Sequence, residues 1–286
     1  MNISVVIPTY NEASNLGECL NALLNGSEKP FEIIVADGNS SDNTVNIAKK
    51  YGVSVVENKL RHAAGGRNVG IQNAQGDIIA FIDADCIPDV DWLKEIHKAF
   101  EEEDIDGLGT YIEAAPAKNI YEEFWSRLSL QILMSYGHEP YYVEEKTLNT
   151  AFITASCAYK KSLLNKINGF SDFFGNNAED IDLCWRALDA GATLKYVPDA
   201  KIIAHSPDNL KGICHKSFRN GISSSKLQKV HFNKRINIDY SLYKALIVNV
   251  FKMFKGDRYA RLFVIELICH IAGKYKGSIM CGVVNL

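Results

Sequence analysis

The chain has 286 residues, 47% hydrophobic and 23% charged, with a net charge of −3. These values suit one large α/β domain, or such a core with an appendage, and exclude a disordered chain or a repeat array. The seven cysteines are scattered, odd in number and without a CxxC pair, which excludes a disulfide frame or a zinc cage and suits reduced thiols in a cytoplasmic setting.

The N-terminus has no basic stretch and no cleavage site, so no secretory leader is expected. Residues 3–7 read as a buried strand closed by Pro8. In 12–24, Leu16, Leu20, Leu23 and Leu24 fall on one helical face. Residues 31–36 form a second strand, Ser41 and Asp42 an N-cap region before a helix over 44–51, and 53–56 a third strand. A helix over 64–73, a strand over 77–82 and a helix over 92–102 follow. From about 112 to 150 the chain is irregular and aromatic, with Tyr121, Phe124, Trp125, Tyr136, Tyr141 and Tyr142. Such a segment lines an acceptor pocket or packs as a lid. Residues 151–159 read as a strand, 180–190 as a helix ended by Gly191, and 194–197 and 201–204 as short strands. The segments 243–254 and 258–272 are amphipathic helices, neither with the ~18 apolar residues of a membrane span.

This alternation predicts a mainly parallel sheet flanked by helices on both faces. Ligands of such sheets sit beyond the carboxyl ends of the strands. Pro8-Thr9-Tyr10, Asp37-Gly38 and Asp83-Ala84-Asp85 each follow a strand, so the three clusters are expected to meet.

The charge is unevenly placed. Residues 211–286 hold 14 Lys and Arg against Asp239, Asp257 and Glu266, a net of +11, which leaves −14 for residues 1–210. A basic helical tail suits an anionic partner such as a membrane surface, or simply a solvated face. No feature calls for nucleic acid.

Asp83 and Asp85 end a hydrophobic strand one residue apart. Like charges this close raise each other's pKa unless a cation intervenes, and Mg²⁺ or Mn²⁺ relieves that while holding a diphosphate. Glu179 and Asp180 open a helix, where acids also simply favour the positive end. The turn 175–178 before them can present them to a cleft, where a carboxylate accepts a hydroxyl proton. His205, just past a strand, suits either a structural role or a metal ligand. Arg67 follows Gly65-Gly66 and has the fork geometry for diphosphate, although neither a GxGxxG fingerprint nor a P-loop is present.

In order and spacing, Val5-Val6-Ile7-Pro8-Thr9-Tyr10-Asn11-Glu12, Asp37-Gly38-Asn39-Ser40-Ser41-Asp42-Asn43-Thr44, Gly66-Arg67-Asn68-Val69-Gly70, Ile82-Asp83-Ala84-Asp85, Asn168-Gly169-Phe170 and Glu179-Asp180-Ile181-Asp182-Leu183-Cys184-Trp185-Arg186 together resemble the inverting family 2 glycosyltransferases. The resemblance covers residues 1–210 and implies a GT-A catalytic domain there, with residues 211–286 as a basic helical C-terminal extension outside the shared pattern. It implies that Pro8, Thr9, Tyr10 and Glu12 line the nucleoside pocket and that Asp37 reads the base edge. Arg67 is then near the donor phosphates, Asp83 by the ribose or metal, and Asp85 and His205 on the metal. Asp180 becomes the catalytic base and Glu179 an acceptor-side residue. UDP-sugars are the family's commonest donors, with GDP and dTDP open. An envelope glycan or lipid-linked sugar is the expected acceptor, at the cytoplasmic membrane face. A sugar-nucleotide nucleotidyltransferase, a glycoside hydrolase and an inactive nucleotide-binding module remain as alternatives.

Overall fold

The computed structural model describes residues 1–133, 137–148, 151–232 and 236–285, so Tyr136 and Thr150 of the aromatic segment lie outside the described residues. In chain order the elements are β1 (Ile3–Thr9), α1 (Leu16–Asn25), β2 (Glu32–Asp37), α2 (Thr44–Lys50), β3 (Ser54–Glu57), α3 (Ala63–Asn73), β4 (Ile78–Ile82), β5 (Cys86–Pro88), α4 (Trp92–Glu102) and β6 (Gly107–Ala114). They continue with α5 (Ile120–Leu133), β7 (Tyr141–Tyr142), β8 (Ser156–Lys160), α6 (Lys161–Lys166), α7 (Glu179–Asp189), β9 (Leu194–Ala204), α8 (Leu210–Leu227), β10 (Ile236–Asn237), α9 (Tyr240–Phe254), α10 (Ala260–Cys281) and β11 (Val284–Asn285).

The chain divides into two compact units, one of Met1–Ala115 with Ile132–His205, the other of Pro116–Gln131 with Ser206–Leu286. A single boundary at 210–211 was the expectation. The structure instead adds α5 to the C-terminal helices.

In the first unit the strands run β3-β2-β1-β4-β8-β6-β9-β5, with β7 also on β9. β3, β2, β1 and β4 are parallel throughout. β8 enters antiparallel between β4 and β6, and β5 and β7 lie antiparallel on β9. The parallel half is the part whose strands read as continuous apolar runs, because helices cover both faces. Alternation then sorts the side chains. Val5, Ile7, Ile78, Ala80 and Ile82 face a cluster with Leu16, Leu20, Trp92 and Ile96. Val6, Ile79 and Phe81 face the opposite one, with Ile71, Leu164, Phe170 and Leu183.

Helix α3 lies close on β1 because Gly70 has no side chain. A Cβ there would stand 2.2 Å from Val6 Cγ1. Gly70→Ala is therefore expected to cost about 1–3 kcal/mol by overpacking, with Val6→Ala in the same chain recovering part of it. Urea denaturation of the single and double variants measures this. A neutral Gly70→Ala would mean that α3 has room to shift.

In the second unit, Phe124 and Trp125 of α5 are buried with Ile213 and Leu262, and Phe124 meets Phe263 edge-on with ring centroids 4.8 Å apart. These aromatics form a core rather than line a pocket. α8 and α10 cross closely, since a Cβ on Gly221 would stand 2.1 Å from the His270 carbonyl oxygen. Among the described residues no helix is long and apolar enough to cross a membrane.

Candidate functional site

The site begins where β1 and β2 end side by side, with Thr9 opposite Asp37. The Thr9 hydroxyl donates to the Asp37 carboxylate at 3.2 Å, which also accepts from the Ser40 N–H at 2.9 Å and hydroxyl at 2.6 Å. The next turns are laced together. The Asn11 N–H donates to Ser40 Oγ, the Glu12 N–H to Thr44 Oγ1, the Ala13 N–H to Asp42 and the Ser41 N–H to Asn11 Oδ1. The string from Asp37 to Thr44 is thus a scaffold for the loop 10–13, a role invisible in the string itself. Pro8 and Thr9 lie low in this wall, while Tyr10 stands 57% exposed above it.

Glu12 accepts from Asn15 Nδ2 at 2.9 Å. Its carboxyl is pushed up, first by burial and then by the nearby Asp85, Asp83 and Asp42 carboxylates. Negative charge therefore accumulates between the β1 and β4 ends.

β4 stops at Ile82, and a tight turn, with the Cys86 N–H on the Asp83 carbonyl at 3.1 Å, leads into β5. β5 pairs antiparallel with β9, Cys86 opposite Ala204. That register sets His205 opposite Asp85, and the His205 N–H points at the Asp85 carbonyl at 3.5 Å. Directly opposed residues project to the same side with Cβ atoms about 5 Å apart. The two residues expected on a metal are neighbours although 120 positions separate them in the sequence. Among the described residues no three His, Cys, Asp or Glu form a metal-binding group.

Arg67 is the junction of the site. It is 2% exposed, donates to Asp83 Oδ1 at 2.7 Å and to Glu179 Oε1 at 2.8 Å, and lies over the Phe170 ring at 5.7 Å. Burial works against its charge, but Asp83 and Glu179 outweigh it and hold the guanidinium pKa above the ordinary value. Arg67 was expected at the donor phosphates. The structure sets it beneath the surface, engaged with two carboxylates. Glu179, expected on the acceptor side, is likewise buried, and its Oε2 has no hydrogen-bond partner among the described residues.

Asp180 stays partly exposed. Desolvation and then the Glu179 carboxylate push it up to about 7, against the Ile181 N–H and Arg67, which pull it down. The turn before it carries strain, with Ala178 at a φ of 61°. That turn is docked on α3, where the Ala64 N–H donates to the Gly175 carbonyl at 2.9 Å and the Ala63 N–H to Asn176 at 2.7 Å.

Asn68 and Arg186 complete the frame. Asn68 exchanges two 2.8 Å hydrogen bonds with the Phe170 backbone. Arg186 donates to the Ile167 and Gly169 carbonyls at 2.8 Å. Gly169 sits at a φ of 59°, and a Cβ there would come within 2.5 Å of Asn68 Oδ1. Four strings that looked independent in the sequence are thus parts of one hydrogen-bonded assembly. Beside β6, a hollow is lined by Thr110, Tyr111, Phe152, Ile153 and Tyr196. Tyr141 stacks on Tyr196 at 5.1 Å.

The family model described as Glycosyl transferase family 2 matches residues 4–167. Glycosyltransferase AglE of Haloferax volcanii is 28% identical over 232 residues, covering 77% of this chain and 71% of that protein. Other curated relatives are longer, and the chain spans 49 to 50% of three of them. Among solved structures, the mannosyltransferase PcManGT from Pyrobaculum calidifontis, in complex with GDP-Man and Mn²⁺, superposes with a TM-score of 0.68 at 17% identity, covering 96% of this chain and 86% of that one. S. aureus TarS 1-349 in complex with UDP-GlcNAc gives 0.56 at 17% identity, covering 96% and 92%. At those identities the likeness is one of fold.

Proposed function

The chain belongs to glycosyltransferase family 2 and has the GT-A fold, and we propose that it is an inverting, metal-dependent enzyme moving a sugar from a nucleotide-sugar, UDP-linked in the first instance, to an acceptor hydroxyl. The observation that carries this reading is the Arg67 junction, which ties the Asp83 turn to the start of α7 and so fixes Asp180 relative to the donor side.

In this reading Pro8, Thr9, Tyr10, Glu12 and Asp37 receive the nucleoside. Tyr10 offers an exposed ring to a base, and Asp37 retains acceptor capacity beyond its bonds to Thr9 and Ser40. The residues present fit a divalent cation, because Asp85 and His205 are adjacent across β5 and β9 in a region of surplus negative charge. They would hold Mg²⁺ or Mn²⁺ with Asp83 alongside, leaving positions for diphosphate oxygens. When bound, such an ion neutralises charge on the departing diphosphate. Asp180 takes the proton of the acceptor hydroxyl, whose oxygen attacks the anomeric carbon from the face opposite the diphosphate, inverting configuration. Arg67 and Glu179 hold Asp180 and Asp83 in register rather than touch substrate.

The acceptor in this proposal is an envelope glycan or lipid-linked sugar, supported by the +11 charge of residues 211–286, and the setting is cytoplasmic. A nucleotidyltransferase is disfavoured by Pro8-Thr9-Tyr10-Asn11-Glu12 standing where a Gly-rich loop would be, and an inactive module or a hydrolase by the family with its Asp180 intact.

The test is a thermal-shift screen of UDP, GDP, dTDP and CDP with Mn²⁺, Mg²⁺ or EDTA. One nucleotide is expected to raise the melting temperature only with metal, by about 2.7 kcal/mol of stabilisation at 100 times its Kd. No shift with any nucleotide overturns the donor reading. A shift equal in EDTA overturns the metal part alone.

A further inference from the structure

Helix α9 of the second unit is reversed for a helix at an aqueous surface. Its half-buried row is Leu242, Leu246, Val250 and Met253, and none of its residues is fully buried. The opposite row, three or four positions apart, is where charge belongs on a solvated helix. It holds Tyr240, Ile247, Phe251 and Phe254, exposed at 75, 57, 65 and 79%, with Lys244 the single charge among them. Lys244 and Lys252 are exposed within α9, Lys255 and Arg258 follow it, and no acid stands between Asp239 and Asp257.

Large apolar side chains with aromatic rings and flanking lysines suit the boundary between headgroups and acyl chains. The rings and Ile247 enter that boundary, and the lysine ammonium groups reach back to anionic headgroups. At 15 residues the helix is too short to span a bilayer, so it would lie in the surface. A second copy is the less suitable cover, because a two-fold contact through this row brings lysines against lysines. We infer that α9 docks this chain peripherally on a membrane surface bearing anionic lipids. The inference stands apart from the transferase reading.

The test is flotation of the full chain with vesicles of phosphatidylcholine alone or mixed with phosphatidylglycerol. Binding is expected on the mixed vesicles only, weakening with salt. Phe251→Ser/Phe254→Ser should lower partitioning at least ~10-fold through lost apolar burial, and Lys244→Gln/Lys252→Gln about 30-fold through lost charge. Both pairs are exposed, so melting temperatures should match the parent chain, and Phe251→Trp should shift its emission to the blue on vesicles. A parent chain that stays unbound on mixed vesicles, or a phenylalanine variant that binds undiminished, overturns the proposal. So does a concentration-dependent dimer, dissolved by Phe251→Ser/Phe254→Ser, with no vesicle binding, which assigns the face to a second copy.

Discussion

Asp180→Asn is expected to lower the turnover of sugar transfer by about 10²–10⁴-fold while leaving the nucleotide-induced melting shift intact. Asparagine keeps the shape and can still accept the Ile181 N–H, which lies 2.8 Å from Asp180 Oδ1. What it loses is the capacity to take a proton. The proposed donor residues sit at the ends of β1 and β2 and on the Asp83 turn, so in this reading nucleotide binding has no direct stake in this carboxylate. Nucleotide-diphosphate release assays on parent and variant read the result. Near-normal turnover would remove Asp180 from the role of base.

The same residue sets an expected pH dependence. Its pKa is raised from 3.8 to about 7, burial first and Glu179 second. Only the ionised form accepts the acceptor proton, so kcat/KM should rise with pH through about 7 and fall towards tenfold per unit below it. For stability the sign is reversed. The folded state binds this proton more tightly than the unfolded state does. The stabilisation is fully present below the ordinary carboxylate pKa and is lost as pH rises through about 7. Activity and stability are therefore expected to move in opposite directions over that window.

The parallel half of the sheet was legible because β1, β2 and β4 are apolar runs closed by polar residues, the pattern of strands buried on both faces. β6 was not. Gly107 and Gly109 interrupt the apolar strand pattern, so the segment before 112 received no assignment, yet a Cβ on either would fall 2.3 Å from the rings of Tyr159 and Phe152, and the glycines seat those rings. The strand expected over 151–159 begins only at Ser156, because Ala151 and Phe152 are buried by packing without joining the ladder. α5 hid among aromatics. Its start was signalled only by Asn119, whose Oδ1 accepts the Tyr121 and Glu122 N–H groups. In the site, residue types were legible and partnerships were not. Arg67 and Glu179 are 112 positions apart, and nothing local to either announces the other.

That partnership yields the second large effect. Arg67→Met should destabilise the fold by about 3–5 kcal/mol, because it leaves Glu179 and Asp83 without the cation between them. Arg67→Lys should rescue little, since one ammonium lacks the fork that meets two carboxylates at once. A double variant, Arg67→Met/Glu179→Gln, removes the stranded buried charge and should melt closer to the parent. Its transfer rate should nevertheless stay low, because the tether between the Asp83 turn and α7 is gone. The pH profile separates positioning from plain instability. Glu179 raises the Asp180 pKa and Arg67 lowers it. Glu179→Gln alone should therefore move the acidic limb of kcat/KM to lower pH, and Arg67→Met alone to higher pH. Identical limbs in all three proteins would mean that the junction holds the fold together without tuning the base, and the raised pKa of Asp180 would then come from burial alone.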